Sequence, residues 1–182
     1  DKTEPIEAWA SFRVGARGTA WLVEESEAAN LAPLWLAGVT DGYWRQAGIM
    51  TGRWLGLWPG RQLLVVDRWS KVDARARTSL LLAPSLDAAA LHSPERMRSL
   101  PFRSSLRLEV LRGREISQAV DWHWPRFGAA EPVTRITLAP EGETLLFRLV
   151  WGEPVAHSIT RGQAASAALA AHLAERPLRR QR

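Results

Sequence analysis

Residues 53–66 have the sequence Arg-Trp-Leu-Gly-Leu-Trp-Pro-Gly-Arg-Gln-Leu-Leu-Val-Val, in which two apolar stretches flank a turn. Pro59 and Gly60 stand at the second and third positions of that turn. This is the requirement of a type II turn, because its third position needs a positive φ that glycine adopts most easily. The flanking stretches, 53–57 and 62–66, contain many strand-forming residues. We therefore predict a β-hairpin over this segment.

Short strands and turns recur along most of the chain. A second hairpin is predicted where residues 105–111 alternate apolar and charged side chains, and Arg-Gly-Arg at 112–114 turns the chain into 115–120. Residues 85–99 interrupt the strands and are predicted to form a loop. The regular spacing of short strands and Gly/Pro turns indicates an all-β sandwich or barrel.

A third hairpin is predicted for 134–138 and 144–151, because Pro-Glu-Gly-Glu at 140–143 lies between them. Leu146 and Phe147 are expected to be core residues of its second strand.

One helix is predicted, near the C-terminus. Residues 163–176 are rich in alanine, Gly162 precedes them and Pro177 is expected to end the helix. We therefore divide the chain into a β-sandwich at 1–160 and a segment at 161–182 that holds this helix and a basic tail.

Composition excludes several functional classes. A chain of 182 residues can bury the core of one domain. The absence of cysteine excludes disulfides, thiolate metal ligands and a cysteine nucleophile. The net charge of +5 is not gathered on one basic face, so no nucleic-acid partner is predicted. No apolar run reaches the roughly 18 residues that span a bilayer, so no membrane insertion is predicted. The compartment stays open, with a periplasmic or secreted location favoured over a cytoplasmic one.

The ten tryptophans are expected mostly to pack in the core or on the sheets. Trp122 and Trp124 are the exception, because strand alternation places them on one face around His123, just before Pro125. For His123 both a binding role and a structural role at a strand end stay open. Asp121 is not expected to pair with His123, because the alternation does not favour a direct contact.

Residues 7–17 have the sequence Glu-Ala-Trp-Ala-Ser-Phe-Arg-Val-Gly-Ala-Arg. This resembles the Glu-x-Trp-x-x-Phe-Arg-Val-Gly-x-Arg stretch in the C-terminal half of heparinase II/III-like polysaccharide lyases. The stretch lies close to the first residue and already has the pattern of a strand inside a domain, so we expect the chain to be part of a longer polypeptide. Four later segments resemble the family in the same order, at residues 41–43, 62–68, 80–84 and 122–128.

The resemblance implies an antiparallel β-sandwich that follows an α/α toroid. With the helix predicted above, the fold class is all-β, an antiparallel β-sandwich with a short C-terminal helix. Such enzymes cleave uronic-acid-containing polysaccharides by β-elimination. Their catalytic Asn and Tyr come from the toroid and their His from a stretch before the point where this chain starts, so no catalytic residue is assigned here. The isolated chain is expected to have little or no lyase activity. The implied partners are an acidic polysaccharide and an upstream α/α-toroid domain or chain.

No cofactor is predicted. Many relatives have His-x-Arg where this chain has Thr51, Gly52 and Arg53, and in some of them a histidine at this place helps to hold a structural metal. Threonine cannot replace an imidazole ligand in kind, so no metal site is assigned.

The predicted substrate-binding set combines arginine and aromatic side chains. Arginine binds carboxylate and sulfate groups with two parallel hydrogen bonds. Pairing with Glu7, with Asp67 or with other sheet neighbours is the structural alternative for these arginines. Two further functions stay open: a non-catalytic carbohydrate- or protein-binding β-sandwich module, and an assembly component that docks through the helix and basic tail. The predicted set is Arg13, Arg17, Arg53, Trp122, His123 and Trp124.

Overall fold

The computed structural model describes residues 6–10, 13–26, 33–82, 97–100, 106–126 and 128–179. Two helices occur within them, α1 (Trp44–Ala47) and α2 (Ser158–Arg179). The strands within them are β1 (Ile6–Ala10), β2 (Arg13–Arg17), β3 (Ala20–Glu25), β4 (Leu34–Thr40), β5 (Thr51–Trp58), β6 (Gln62–Trp69), β7 (Thr78–Leu82), β8 (Met97–Leu100), β9 (Leu106–Arg112), β10 (Arg114–Arg126), β11 (Ala129–Ala139) and β12 (Thr144–Val150).

Antiparallel pairing joins these strands into sheets. The large sheet has the strand order β3-β4-β5-β6-β12-β9-β8, and the small sheet has the order β10-β11-β7. The strands β1 and β2 pair with each other. The predicted antiparallel β-sandwich with a C-terminal helix is therefore confirmed. Neither described helix is long and apolar enough to cross a membrane.

Each face of the large sheet carries an apolar core. Because side chains alternate along a strand, Leu64 of β6 faces α2 while its neighbour Val65 faces the small sheet. The core between the large sheet and the helix includes Trp54, Trp58, Leu64, Val66, Ala165, Leu169 and Leu173. The core between the two sheets includes Val65, Trp69, Ile136, Leu138, Leu145 and Phe147.

The hairpin predicted from residues 53–66 is confirmed. Strands β5 and β6 pair over their whole length, with Arg53 opposite Asp67 and Trp58 opposite Gln62. Gly60 has a φ of 72°, and the backbone N–H of Arg61 donates to the Trp58 carbonyl at 3.0 Å. Proline and glycine therefore specify this turn as the sequence predicts.

The second predicted hairpin is wrong. Strand β9 belongs to the large sheet and β10 to the small sheet, so the two do not pair. Gly113 between them has a φ of 109°, and a Cβ there would lie 2.6 Å from the carbonyl oxygen of Ala139. Glycine is needed because the chain turns from one sheet to the other at a point where it touches the end of β11.

The third predicted hairpin is also wrong, although Leu146 and Phe147 are buried as expected. Strand β11 pairs in the small sheet and β12 in the large sheet, so the turn at 140–143 is a second crossing between sheets. The long hairpin of the small sheet is formed by β10 and β11, with Asp121 opposite Val133.

The C-terminal helix is longer than predicted. It begins at Ser158 and runs past both Gly162 and Pro177. A Cβ at Gly162 would lie 2.8 Å from Cδ2 of Leu64, so glycine lets the helix approach the sheet closely. Pro177 removes one N–H donor after many turns have already formed, and the helix continues. Residue 161 lies inside α2, and the division of the chain into two segments stays a prediction.

Most described tryptophans pack as expected. Trp122 is 51% exposed, as the sequence predicts, and Trp151 is half-buried outside the two cores. The side chains of Trp9 and Trp124 lie outside the described residues. The packed tryptophans are Trp21, Trp35, Trp44, Trp54, Trp58 and Trp69.

The loop predicted for 85–99 is wrong from Met97 onward, where β8 pairs with β9. The earlier part of this segment lies outside the described residues.

Replacing Leu169 by alanine is expected to destabilise the fold strongly. Its side chain is 1% exposed between α2 and the large sheet. The cavity and the lost burial should lower the free energy of unfolding by about 2–5 kcal/mol in urea denaturation followed by tryptophan fluorescence. Leu81→Ala is the matched control, because Leu81 is 53% exposed and should change stability by about 0.5 kcal/mol or less. Equal losses in the two variants would contradict the packing of α2.

Candidate functional site

A buried carboxylate joins the two sheets. Asp67 of β6 is 4% exposed and lies on the face of the large sheet that meets the small sheet. Its Oδ1 accepts from Arg53 Nε at 2.6 Å, and its Oδ2 accepts from Arg53 Nη2 at 2.8 Å. Oδ2 also accepts from the hydroxyl of Thr78, on β7, at 2.5 Å. Three donors therefore compensate the desolvation of this carboxylate.

Arg53 is held in place by this contact while half of its side chain faces solvent. The side-chain hydrogen bonds to Asp67 raise the pKa of Arg53, against the effect of partial burial. The Asp67 charge and the nearby Tyr43 act in the same direction. Because the bonds to Asp67 use Nε and Nη2, the Nη1 side of the guanidinium is left to meet a ligand.

An open cleft of about 1820 Å³ runs from the large sheet past the edge strand β7 onto the outward face of the small sheet. The contact between Asp67 and Thr78 joins its two walls. On the large-sheet side the cleft is lined by Ala20, Gly38, Thr40, Thr51 and Arg53. On the small-sheet side it is lined by Ser79, Ser117, Arg135 and Thr137.

The cleft is rich in arginine. Five arginines and two aspartates line it, a formal excess of three positive charges. Three of these arginines, besides Arg53, have a carboxylate partner: Arg68 pairs with Glu143, Arg75 with Asp73, and Arg135 with Asp121. With these four carboxylates counted against the five arginines, the excess is one positive charge, that of Arg77, so an anionic ligand would meet the most favourable electrostatics beside Arg77.

Arg77 differs from the other arginines of the cleft. It donates to the carbonyl oxygen of Ala76 at 2.6 Å, and none of the described carboxylates pairs with it. Nearby, Arg75 donates to Asp73 through its side chain and its backbone N–H, and these bonds lower the pKa of Asp73 to about 2. The Asp73 charge is thus already compensated by Arg75.

The structure separates the predicted substrate-binding residues. Arg53 lines the cleft, whereas Trp122 and His123 lie on β10 and do not. Both are exposed, as the rim position predicted for Trp122 requires. Arg13 and Arg17 lie on β2, and Trp124 lies on β10, but the side chains of all three are outside the described residues. A substrate-binding role for the set stays a prediction.

Asp121 does not bond to His123. It accepts from Arg135 Nη1 at 2.9 Å and from the backbone N–H of Trp122 at 2.8 Å. The sequence argument against a direct pair with His123 therefore agrees with the structure.

The described residues do not fit the structural metal that the family resemblance raises as an expectation. Thr51 has no imidazole, and both oxygens of Asp67 already accept from Arg53 and Thr78. No group of three or more histidine or acidic residues suited to a metal ion occurs in the part of the chain that the structure describes. The absence of a cofactor stays a prediction.

Comparison with protein families identifies the chain. The model of the C-terminal domain described as "Heparinase II/III-like" matches residues 1–166. The chain belongs to this family. The resemblance noted in the sequence is confirmed. A comparison with curated protein sequences gives no significant match.

The fold of this heparinase II/III-like domain is similar to parts of two solved enzymes. One is the heparan sulfate lyase HepC from Pedobacter heparinus, with a TM-score of 0.56 and 10% identity, over 75% of this chain and 22% of HepC. The other is a heparinase III gene product, with a TM-score of 0.51 and 10% identity, over 72% of this chain and 21% of that enzyme. The chain thus spans about a fifth of each enzyme, and identities this low show a shared fold alone.

Most residues of the cleft were missed by sequence analysis, among them Thr78, Arg77 and Arg135. Thr78 and Arg77 stand at the start of β7, where nothing local indicates that Asp67 is near. Arg135 reaches the cleft because β11 pairs with β7, which places Arg135 opposite Leu81. A correct strand order would have been needed to find them.

Replacing Arg53 by alanine is expected to destabilise the domain. It removes two donors from Asp67, whose side chain is 6% exposed. The free energy of unfolding in urea should fall by about 1–3 kcal/mol, towards the lower value because the 53% exposed Arg53 is screened by water. Arg61→Ala, at the exposed hairpin turn, should change it by about 0.5 kcal/mol or less. A loss no larger than in this control would contradict the role of Arg53 as the partner of Asp67.

Proposed function

We propose that this heparinase II/III-like domain is the β-sandwich portion of a polysaccharide lyase that acts on uronic-acid-containing acidic polysaccharide by β-elimination. The cleft is proposed to form one side of the binding site for the acid groups. The observation that carries the proposal is the set of five arginines that lines the cleft, in a member of this family.

β-Elimination requires three groups. A positive donor must neutralise the uronate carboxylate so that the C5 proton becomes acidic, a base must remove that proton, and an acid must protonate the departing O4. The arginines suit the first role, because a guanidinium binds a carboxylate with two parallel hydrogen bonds. The base and acid are proposed to come from an upstream α/α-toroid domain, and the isolated chain is therefore proposed to bind without cleaving.

A partly exposed apolar surface among the described residues supports the presence of such a partner. Leu36 and Leu55 are directly paired, as are Leu34 and Leu57, so all four lie on one face of the large sheet. We call this surface the leucine face. Leu36 is 46% exposed, and the other three are only partly buried. An apolar patch of this kind commonly marks a contact with another domain, and we propose that the upstream domain packs on it.

A specific observation favours the alternative of a non-catalytic carbohydrate- or protein-binding module. Trp122 is 51% exposed and Val120 is 73% exposed on β10, and Pro132 lies directly opposite Trp122. An exposed indole can stack on the apolar face of a sugar ring or anchor a protein partner.

The 182-residue chain is expected to bind an acidic polysaccharide and to leave it intact. Calorimetric titrations with alginate, heparin and hyaluronan should give affinities that fall as salt is raised, because salt screens the cleft arginines. The ultraviolet absorbance of unsaturated uronate should stay flat. A clear rise in that absorbance would show that the chain has its own catalytic groups, and no binding at low salt to any of the three would contradict the proposal.

Matched variants distinguish this proposal from the alternative. Arg135→Gln should weaken binding of the acidic polysaccharide several-fold, and Arg61→Gln, which removes the same charge outside the cleft, should have little effect. Trp122→Ala should leave that binding nearly unchanged. The opposite result, with loss in Trp122→Ala and none in Arg135→Gln, would favour the binding module.

The contact proposed for the leucine face can be tested in a polypeptide that also carries the upstream domain. Leu36→Lys places a charge in that contact and should lower the thermal midpoint of the two-domain protein more than that of the isolated 182-residue chain. Leu81→Lys is the control, because Leu81 is a strand leucine of similar exposure on the small sheet. Equal effects of Leu36→Lys in the long and short proteins would contradict docking on this face.

A further inference from the structure

One side chain of strand β7 is hydrogen-bonded to the large sheet, and the residues next to it point away from that contact. Thr78 is 5% exposed and donates to Asp67. Because side chains alternate along β7, Ser79 projects to the face of the small sheet that points away from the large sheet. Arg77, the residue just before β7, lines the cleft together with Ser79. The buried contact of Thr78 therefore fixes the position of two polar side chains in the cleft.

Strand pairing extends these two residues into a row of hydroxyl groups. Thr137 of β11 lies directly opposite Ser79, and Ser117 of β10 lies opposite Thr137. Directly paired residues share a face, with Cβ atoms about 5 Å apart. All three hydroxyl residues line the cleft. Ser79 and Thr137 can thus both donate to one small acceptor placed between them.

The charges around this row favour an anion. Arg135 lies on the same strand face as Thr137 and is bonded to Asp121, while Asp73 is bonded to Arg75. The nearby carboxylates are thus compensated, and the positive charge of Arg77 has no described acidic partner. Donors from two strands and from a guanidinium approach from different directions, which suits a tetrahedral anion better than a planar carboxylate.

We propose that Arg77, Ser79 and Thr137 form a binding site for a tetrahedral oxyanion, sulfate or phosphate. Arg77 supplies the charge, and the two hydroxyls donate to separate oxygens of the anion. The site does not depend on the proposed lyase function, because a free inorganic ion is sufficient to occupy it. A sulfate ester on a polysaccharide would present the same chemistry.

Titration of the 15N-labelled 182-residue chain with sodium sulfate and with sodium phosphate tests the site. Saturable shifts of the Ser79 and Thr137 amide signals are expected, and sodium acetate at the same ionic strength should not produce them. Arg77→Ala should weaken sulfate binding at least five-fold and Thr137→Val at least two-fold, both with the spectrum of the folded chain. Arg61→Ala should leave it unchanged. Equal shifts with acetate, or equal effects of Arg77→Ala and Arg61→Ala, would overturn the proposal.

A second comparison identifies the source of the anion. If a sulfated polysaccharide binds more tightly than its chemically desulfated form, and Arg77→Ala abolishes that preference, the site holds a sulfate ester. Sulfate binding without such a preference assigns it to the free ion. If polysaccharide binds but inorganic sulfate does not shift these amides, the anion site is wrong and the proposed function stands. If inorganic sulfate shifts the amides but no polysaccharide binds, the proposed function is wrong and the anion site stands.

Discussion

The carboxylate of Asp67 is the constraint on which the functional side of this domain depends. A carboxylate this far from water is tolerated only when donors surround it, and here they come from both sheets, through Arg53 and Thr78. The contact fixes the edge of the small sheet against the large sheet. The same interaction therefore fixes the angle of the cleft and the positions of the side chains along its walls.

The two faces of the large sheet serve different purposes. On one face α2 covers an apolar core that includes Trp54 and Leu169, and nothing there suggests a ligand among the described residues. On the other face the small sheet covers only part of the surface and leaves the leucine face and the cleft open. Among the described residues, the leucine face and the large-sheet side of the cleft thus both lie where the sandwich is incomplete.

Local signals predicted the fold class and the hairpin at 53–66, because Pro59 and Gly60 specify a turn whatever the rest of the chain does. The segments at 112–114 and 140–143 carry turn residues of the same kind, yet they cross between sheets. A turn sequence shows where the chain reverses and does not show which strand it will pair with. Strand partners depend on contacts distant in sequence. The pairing of Arg53 with Asp67 lies within one predicted hairpin and could be named as the alternative to a ligand-binding role for Arg53. The approach of Thr78, Arg77 and Arg135 to the cleft depends on the strand order and could not be predicted.

The register also connects the two open surfaces. Arg53 and Leu55 are two residues apart on β5 and therefore point to the same side, so the row that holds Arg53 lies next to the row of Leu55 and Leu36. A domain that packed on the leucine face would stand about one residue pair, or roughly 7 Å, from the arginine at the edge of the cleft. It would deepen the cleft and bring its own groups opposite the arginines. Under the function proposed above, such a site would separate the neutralisation of the substrate acid from the proton transfers, since each would be supplied from a different side of the cleft.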